Sequence, residues 1–448
     1  MRILALCCLA ACLFASQSFD AVAQNYPQFR GTGGRAVNDQ ATIPDDWQFE
    51  EAVEWKIEVE GSGWSQPIVW QDRLYVTTAV AGNGFKPKDF AGGVRNPSSM
   101  GGGSSRPDFE VEWKVVCLDA KSGKTIWSTA INKLRPEHGI HPSNSFATET
   151  PTADENGVYA YFGPSGTVVQ LDHQGNVKWQ QDVGVYKTNN DFGTGSSLAI
   201  HDNKLFLQLF TEESSDVMCL ETTTGKTKWK QSRAGKGTSW STPLVWQNSQ
   251  RTEVVFSGGE QLDSFDPESG EKLWSINKVK AATACSVFGD ENHIYFGGSD
   301  PMSKGPLYAV AAGGSGTITA ANQNEKFESC AWLVPRSGPG MSTPVSNGEY
   351  ILMTDRSVAA CFKADDGSEV FRARLPGLST VVACPMVIGN EVFLIDEKGQ
   401  MSAVELGDEF KSRDLGSIDE IVWATPAMTD DALFVRGVDS LYKFKLEK

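Results

Sequence analysis

A short apolar strand, a turn rich in Asp, Lys and Gly, and a strand ending in Trp recur along this chain, and that recurrence limits what it can fold into. The pattern reads Cys117-Leu118-Asp119-Ala120-Lys121-Ser122-Gly123-Lys124-Thr125-Ile126-Trp127, returns from Cys219 to Trp229 around Gly225, and returns again from Phe265 to Trp274 around Gly270. Looser copies run from Leu171 to Trp179 and from Cys361 to Phe371. Each copy has the chemistry of a hairpin. Asp or Glu bonds the turn amides, Gly accepts the positive φ of a short loop, and β-branched residues suit the flanking strands.

A second marker precedes each hairpin, a small-residue step with proline: Ser65-Gln66-Pro67, Glu149-Thr150-Pro151, Ser241-Thr242-Pro243, Ser342-Thr343-Pro344, Ala383-Cys384-Pro385 and Ala424-Thr425-Pro426. Ser196-Ser197-Leu198 and Cys285-Ser286-Val287 fill two gaps without proline. Both markers count eight units, with outer-strand positions at Trp55, Trp127, Trp179, Trp229, Trp274, Trp332, Phe371 and Phe410. The spacing suits a four-stranded unit with variable loops, and helical periodicity is absent. The expectation is an all-β chain, an eight-bladed β-propeller of four-stranded antiparallel blades whose flat faces cover one another.

Closure of the ring is legible too. Val53-Glu54-Trp55-Lys56-Ile57 reads as an outer strand without its own hairpin, and Thr425 to Leu446 supplies three strands without a fourth. Pairing the N-terminal strand with the C-terminal blade removes both exposed edges. The six cysteines beyond residue 12 fall mostly at equivalent repeat positions, Cys117, Cys219 and Cys361 before the hairpin and Cys285 and Cys384 on the proline step, with Cys330 near Trp332. They read as small buried hydrophobes and not as disulfides or ligands.

Composition narrows the partners. Lys+Arg 40 against Asp+Glu 56 leaves a formal charge of −16, which argues against nucleic acid and anionic membrane. Arg2, the apolar run Ile3 to Ala15 and Ala21-Val22-Ala23 form a signal peptide over residues 1–23, with cleavage after Ala23. A lipoprotein reading at Cys12, from Leu9-Ala10-Ala11-Cys12, ranks second. The mature chain is then a periplasmic or secreted protein without a transmembrane segment. It divides into an N-terminal extension, 24–51, and a single propeller, 52–448, with a Gly-rich insertion at 79–112.

Within a blade the strands run A to D from centre to rim, so the B to C and D to A connections share one face. The long segments 79–112, 133–146, 186–195, 210–216, 235–238, 298–305 and 336–341 all belong there, and long loops on a rigid scaffold are where binding is expected. His138, His141 and Asn144 place two of only five histidines in one loop, as ligands, as an acid/base pair, or as a hydrogen-bonded crossing between blades. Arg233, Lys236 and Arg336 are candidates for a cationic collar at the channel mouth, or are solvated loop charge. Gly82 to Ser105 reads as a lid or an exposed tether. No Gly-x-Ser-x-Gly elbow, Walker loop or His-Glu-x-x-His helix occurs, so no catalytic residues are assigned. No metal site is assigned either.

The alternation of the proline step with Leu118 to Trp127 resembles the PQQ-like β-propeller repeat family, over nearly the whole mature chain, and Gln28-Phe29-Arg30-Gly31 resembles the opening of its secreted bacterial members. The resemblance implies one of two roles. Quinoprotein dehydrogenases of the family bind pyrroloquinoline quinone (PQQ) and calcium over the pore, whereas its BamB group are non-catalytic scaffolds in outer-membrane barrel assembly. Many of the alcohol dehydrogenases set two adjacent cysteines against the quinone, and here the adjacent pair is Cys7-Cys8, inside the signal peptide. No catalytic Asp and no Glu and Asn calcium ligands match by motif. The expectation is an exported binding or scaffold module of the cell envelope, without cofactor, that engages a protein partner or small ligand on the loop face. The alternative is a PQQ- and calcium-dependent quinoprotein dehydrogenase of alcohols or sugars.

Overall fold

The computed structural model describes residues 25–89, 105–233, 237–281, 284–299 and 303–448. Among them the strands gather into eight sheets, and the inner strand of blade 8 lies against that of blade 1. Blades 1 to 7 occupy residues 68–134, 152–182, 199–232, 244–277, 288–334, 345–374 and 386–417. Blade 8 takes Ala427–Met428, Ala432–Arg436 and Ser440–Lys445 from the C-terminus and Val53–Glu58 from the N-terminal side. The closing register sets Trp55 opposite Lys443 and Ile57 opposite Leu441.

The hairpin motif serves two blades at once. Its acid caps the turn: Asp119 accepts the Ser122 amide at 2.7 Å, and Asp266 accepts those of Glu268 and Ser269 at 3.0 and 2.7 Å. Its glycine, at φ +69° in Gly225 and +71° in Gly270, opens space for the tryptophan of the blade before. A methyl there would stand 2.4 Å from the Trp179 ring at Gly225 and 2.6 Å from the Trp229 ring at Gly270. Four of the seated indoles then donate to the same hairpin, Trp127 to the His173 carbonyl at 3.0 Å, Trp179 to Thr222 at 2.7 Å, Trp229 to Pro267 at 3.1 Å and Trp332 to Ala364 at 2.9 Å. These four tryptophans are thus blade-to-blade packing, satisfied at their one polar atom.

The proline steps form a second set of ties, around the hub. The hydroxyl at each step accepts the equivalent amide of the preceding blade: Gln66 to Thr150 at 3.0 Å, Thr150 to Ser197 at 2.9 Å, Ser197 to Thr242 at 3.1 Å, Thr242 to Ser286 at 2.9 Å, and Ser286 to Thr343 at 2.8 Å. Cys384 donates likewise to Thr425 at 3.0 Å. This gives the marker its physical reason, since a buried amide must find an acceptor and the next blade supplies one.

Three features depart from the sequence reading. Phe410 is not on an outer strand; it precedes Ser412–Ser417, where Arg413 takes the tryptophan position opposite Ala403. Arg413 pairs with Glu391 at 2.5 Å and donates to the carbonyls of Pro44 and Ile43 at 2.7 and 2.9 Å, tying the N-terminal extension to blade 7. Blade 4 has five strands, because Gly316–Thr319, from the blade 5 connection, adds in parallel beside Trp274–Asn277. The segment covers that blade's outer edge. The insertion is also shorter than 79–112, since its ends are paired up to Ala81 and from Val111.

The N-terminal extension threads the hub. Tyr26 exchanges two backbone bonds of 2.9 Å with Val69 in blade 1, the Pro27 carbonyl accepts the Ala153 amide of blade 2 at 2.8 Å, and the Gln28 side chain accepts the Ile200 amide of blade 3 at 3.0 Å. The Thr32–Gly34 turn rests on the inner strand of blade 4. Arg30, 2% exposed, donates to the Thr343 and Pro344 carbonyls of blade 6 at 2.9 and 2.7 Å, with its guanidinium 6.0 Å from the Phe288 ring of blade 5. Val37–Asn38 then adds in parallel to the inner strand of blade 7, and Asn38 reaches Asp430 of blade 8 at 3.3 Å. All eight blades therefore touch one segment of about thirteen residues.

Candidate functional site

The hub is occupied by the chain itself, and the loop face carries open space at one seam. An open cleft of about 720 Å³ sits at the closing seam, walled by Lys56, Glu58, Glu60, Lys86, Glu420 and Asp439. Its residues come from four places: the closing strand and the loop after it, the foot of the blade 1 insertion, the loop between blades 7 and 8, and the B to C turn of blade 8. Every one of these connections emerges on the same face, so the ring topology alone brings them together.

The side chains of the cleft hold one another in place. Glu420 accepts the Tyr442 hydroxyl at 2.7 Å and the amides of Asp439 and Ser440 at 3.2 and 3.0 Å, and pairs with Lys56 at 3.3 Å. Burial works to raise the Glu420 carboxyl, but the Tyr442 hydrogen bond, the Ser440 and Asp439 contacts and Lys56 together hold it below the usual range. The Tyr442 contact, with Glu420, raises the Lys56 ammonium. That ammonium lies 5.0 Å over the Tyr442 ring. Lys86 pairs with Asp439, and Lys114 with Glu60 at 2.8 Å. Beneath the seam, Arg436 of blade 8 donates to the Ser65 hydroxyl and the Thr77 carbonyl of blade 1 at 2.6 and 2.8 Å, and burial pushes its guanidinium down to about 9.

The feet of the insertion are anchored beside this cleft. Phe85 and Phe109 pack edge-on against the buried Phe146 at 5.7 and 6.1 Å, and the Lys88 amide donates to the Pro142 carbonyl at 2.9 Å. The span 90–104, most of the lid or tether expected at Gly82 to Ser105, lies outside the described residues.

The residues singled out in the sequence fall at several seams. Asn144 braces loops: its amide donates to the Phe192 and Thr194 carbonyls at 2.7 and 3.2 Å while its oxygen accepts from Ser145 and Thr148 at 2.7 and 2.6 Å. His141 is buried, with Nδ1 2.7 Å from the Ser143 hydroxyl and its ring edge-on to Phe192 at 5.3 Å. His138 lies in the wall of a small cavity between blades 2 and 3. Arg233 stacks at 3.7 Å on Phe210 and donates to the Gly258 carbonyl at 2.9 Å, bridging blades 3 and 4; burial lowers its guanidinium. Arg336 is exposed, at φ +57°, after the outer strand of blade 5. Lys236 lies outside the described residues. Of the cleft residues, Lys56 stood in the strand that closes the ring, but nothing local marked the others, which lie up to the far end of the chain.

The quinone and calcium of related enzymes can be tested against these donors. Calcium takes about six to eight oxygens, carboxylates among them, and the described residues bring together no group of three or more His, Cys, Asp or Glu side chains able to hold a metal. The six described cysteines carry free thiols and none adjoins another in sequence. Arg30, the cation at the hub, is spent on backbone carbonyls.

Solved structures with the same fold include BamB from Moraxella catarrhalis, 12% identical, covering 88% of this chain and 99% of that one with a TM-score of 0.56. A quinohemoprotein alcohol dehydrogenase from Comamonas testosteroni is 10% identical, covers 94% of this chain and 80% of its own, and has a TM-score of 0.60. Sqt1 from Saccharomyces cerevisiae, 10% identical with a TM-score of 0.53, covers 77% and 95%. At such identities the likeness concerns the fold. No curated protein sequence matches the chain. A family model described as outer membrane protein assembly factor BamB matches residues 109–311 and 303–411, more than half of the chain, which therefore belongs to this family of PQQ-like β-propellers.

Proposed function

We propose that this chain is an exported, non-catalytic binding or scaffold module of the cell envelope, working without a cofactor, and that it engages a protein partner at the cleft on the closing seam. The observation that carries this reading is the cleft: about 720 Å³ of open space in which six charged side chains from four chain segments are set on a rigid seam. Charges fixed in this way select a partner and speed its approach more than they add affinity. Four carboxylates against two ammonium groups favour a partner that presents basic side chains. Membership of the BamB family supports protein binding, and Arg2, the apolar run after it and Ala21-Val22-Ala23 support export.

The reading is tested by immobilising the full mature chain, passing envelope extract over it at low and high salt, and repeating with E58K/E60K. The expected result is a protein retained at low salt, released by salt and lost with the charge-reversed chain. Retention indifferent to both would contradict the cleft as the docking place. The dehydrogenase alternative is tested by adding pyrroloquinoline quinone and calcium. A stoichiometric bound quinone spectrum with dye reduction by alcohols or sugars overturns the scaffold reading.

A further inference from the structure

A surface of opposite sign to the cleft lies on the same loop face, at the crease between blades 5 and 6, three blades around the ring from the closing seam. It follows from the strand pattern of blade 6. In the outer strand Glu369–Arg374, Phe371 turns toward blade 7, where its ring meets Phe410 at 5.5 Å. By strand alternation Arg372 and Arg374 turn the other way, toward blade 5. The Arg372 guanidinium accordingly lies 3.5 Å from the Ser337 hydroxyl, next in the chain to Arg336. Arg374 stands opposite Val358, and the Leu375 amide donates to the Ser357 carbonyl at 2.8 Å, so this strand end adjoins the turn that carries Arg356. All four arginines are exposed.

The charge gathered there is not cancelled. Glu369 pairs with Arg372 at 2.6 Å and Asp355 with Lys304 at 2.8 Å, while Arg336, Arg356 and Arg374 form no ion pair among the described residues. The whole chain carries a formal charge of −16, so a run of guanidiniums left over at one crease stands against its general balance. The backbone adds a separate mark. Arg336 and Arg356 hold φ at +57° and +55°, a region in which glycine or asparagine is less strained. The turns themselves gain nothing from arginine, which leaves the side chains as the reason for it.

A guanidinium fork matches a carboxylate with two parallel hydrogen bonds. Spread over three chain segments along one crease, these forks suit several carboxylates in a row. A broad anionic surface such as a membrane, laid on this face, would also meet Glu58, Glu60, Glu420 and Asp439 at the closing seam; a narrow chain segment would not. We propose that the crease between blades 5 and 6 docks an acidic segment of a partner polypeptide, its carboxylates held by Arg336, Arg356, Arg372 and Arg374. This surface is separate from the cleft and does not depend on the reading of it.

The test is fluorescence anisotropy of the full mature chain with a rhodamine-labelled peptide of six glutamates, at low and high salt, against the same peptide with six glutamines. R336N/R356N suits both left-handed positions, so its Tm should hold or rise; K121Q/K124Q removes the same charge from exposed residues of the opposite, tight-turn face. The expected result is saturable binding of the glutamate peptide that salt weakens and none of the glutamine peptide. Binding should be at least tenfold weaker in R336N/R356N and in R372Q/R374Q, and change less than twofold in K121Q/K124Q. Should one arginine pair fail to fold, the other carries the test. No binding, binding that survives both arginine pairs, or equal weakening in K121Q/K124Q overturns the proposal. Retention on phosphatidylglycerol vesicles that is lost in the arginine variants, without binding of the peptide, overturns it in favour of a membrane.

Discussion

The hub and the loop face of this wheel use the same kinds of residue to opposite ends. At the hub Arg30 spends its guanidinium on the carbonyls of Gly34, Thr343 and Pro344, and the belt hydroxyls are taken by amides of the preceding blade. On the loop face Lys56 and Lys86 pair across an open cleft at its rim, more than half exposed, and Glu58 stands in its wall. Polar groups that are buried and fully partnered specify a structure; polar groups that face space and are held in place by neighbours are available to a ligand. The difference assigns stability to the first region and recognition to the second.

The comparison breaks most readily at Arg30. R30A removes three hydrogen bonds and leaves buried carbonyls unpaired, so a loss of about 3 kcal/mol is expected in urea unfolding, with partner retention unchanged once the protein is folded. A comparable effect is expected from pH at Glu149. Its folded carboxyl is raised by burial from 4.5 to about 7, so the folded state favours the proton. Its contribution is present in full below pH 4.5 and is lost as pH rises through about 7. The loss is on the order of 3 kcal/mol, and urea titrations from pH 4.5 to 8 should show it in the native chain and not in E149Q.

The belt is sharpened by T242V, which keeps the volume but leaves the Ser197 amide without its acceptor; about 1–2 kcal/mol of destabilisation is expected in the same assay. The smallest stability change is expected at the cleft. K56E/K86E should move stability by no more than about 0.5 kcal/mol, yet change partner retention and its salt dependence. If R30A and K56E/K86E alter retention equally, the division between hub and face fails.

The ring was legible because it is written locally. The run from Asp119 to Trp127 contains its own turn, cap and packing tryptophan, and the unpaired Val53 to Ile57 stretch met a C-terminus short of one strand. What was not legible arises where distant segments meet. The wide gap between Trp274 and Trp332 announces an insertion, but that Gly316–Thr319 pairs in parallel with blade 4 depends on a neighbour's free edge. Arg413 replaces a tryptophan because Ile43 and Pro44 pass beside it, and no motif records that passage. The histidines drew notice by rarity, yet Asn144 beside them is a brace between loops. Glu149 was visible only as part of a proline step, since the burial of a carboxyl is a property of its surroundings. The cleft joins residues from 56 to 439, and only the closed ring makes them neighbours.

The central claim is that the chain's own N-terminal segment fills the hub and leaves the loop face as the ligand-binding side. Amide hydrogen exchange read by mass spectrometry on a peptide spanning residues 26–38 tests it most directly. The account predicts protection equal to that of the inner-strand peptides around Val69, Ala153 and Ile200, so that the segment exchanges only when the wheel opens. Exchange of 26–38 within seconds, while those inner strands stay protected, would contradict it.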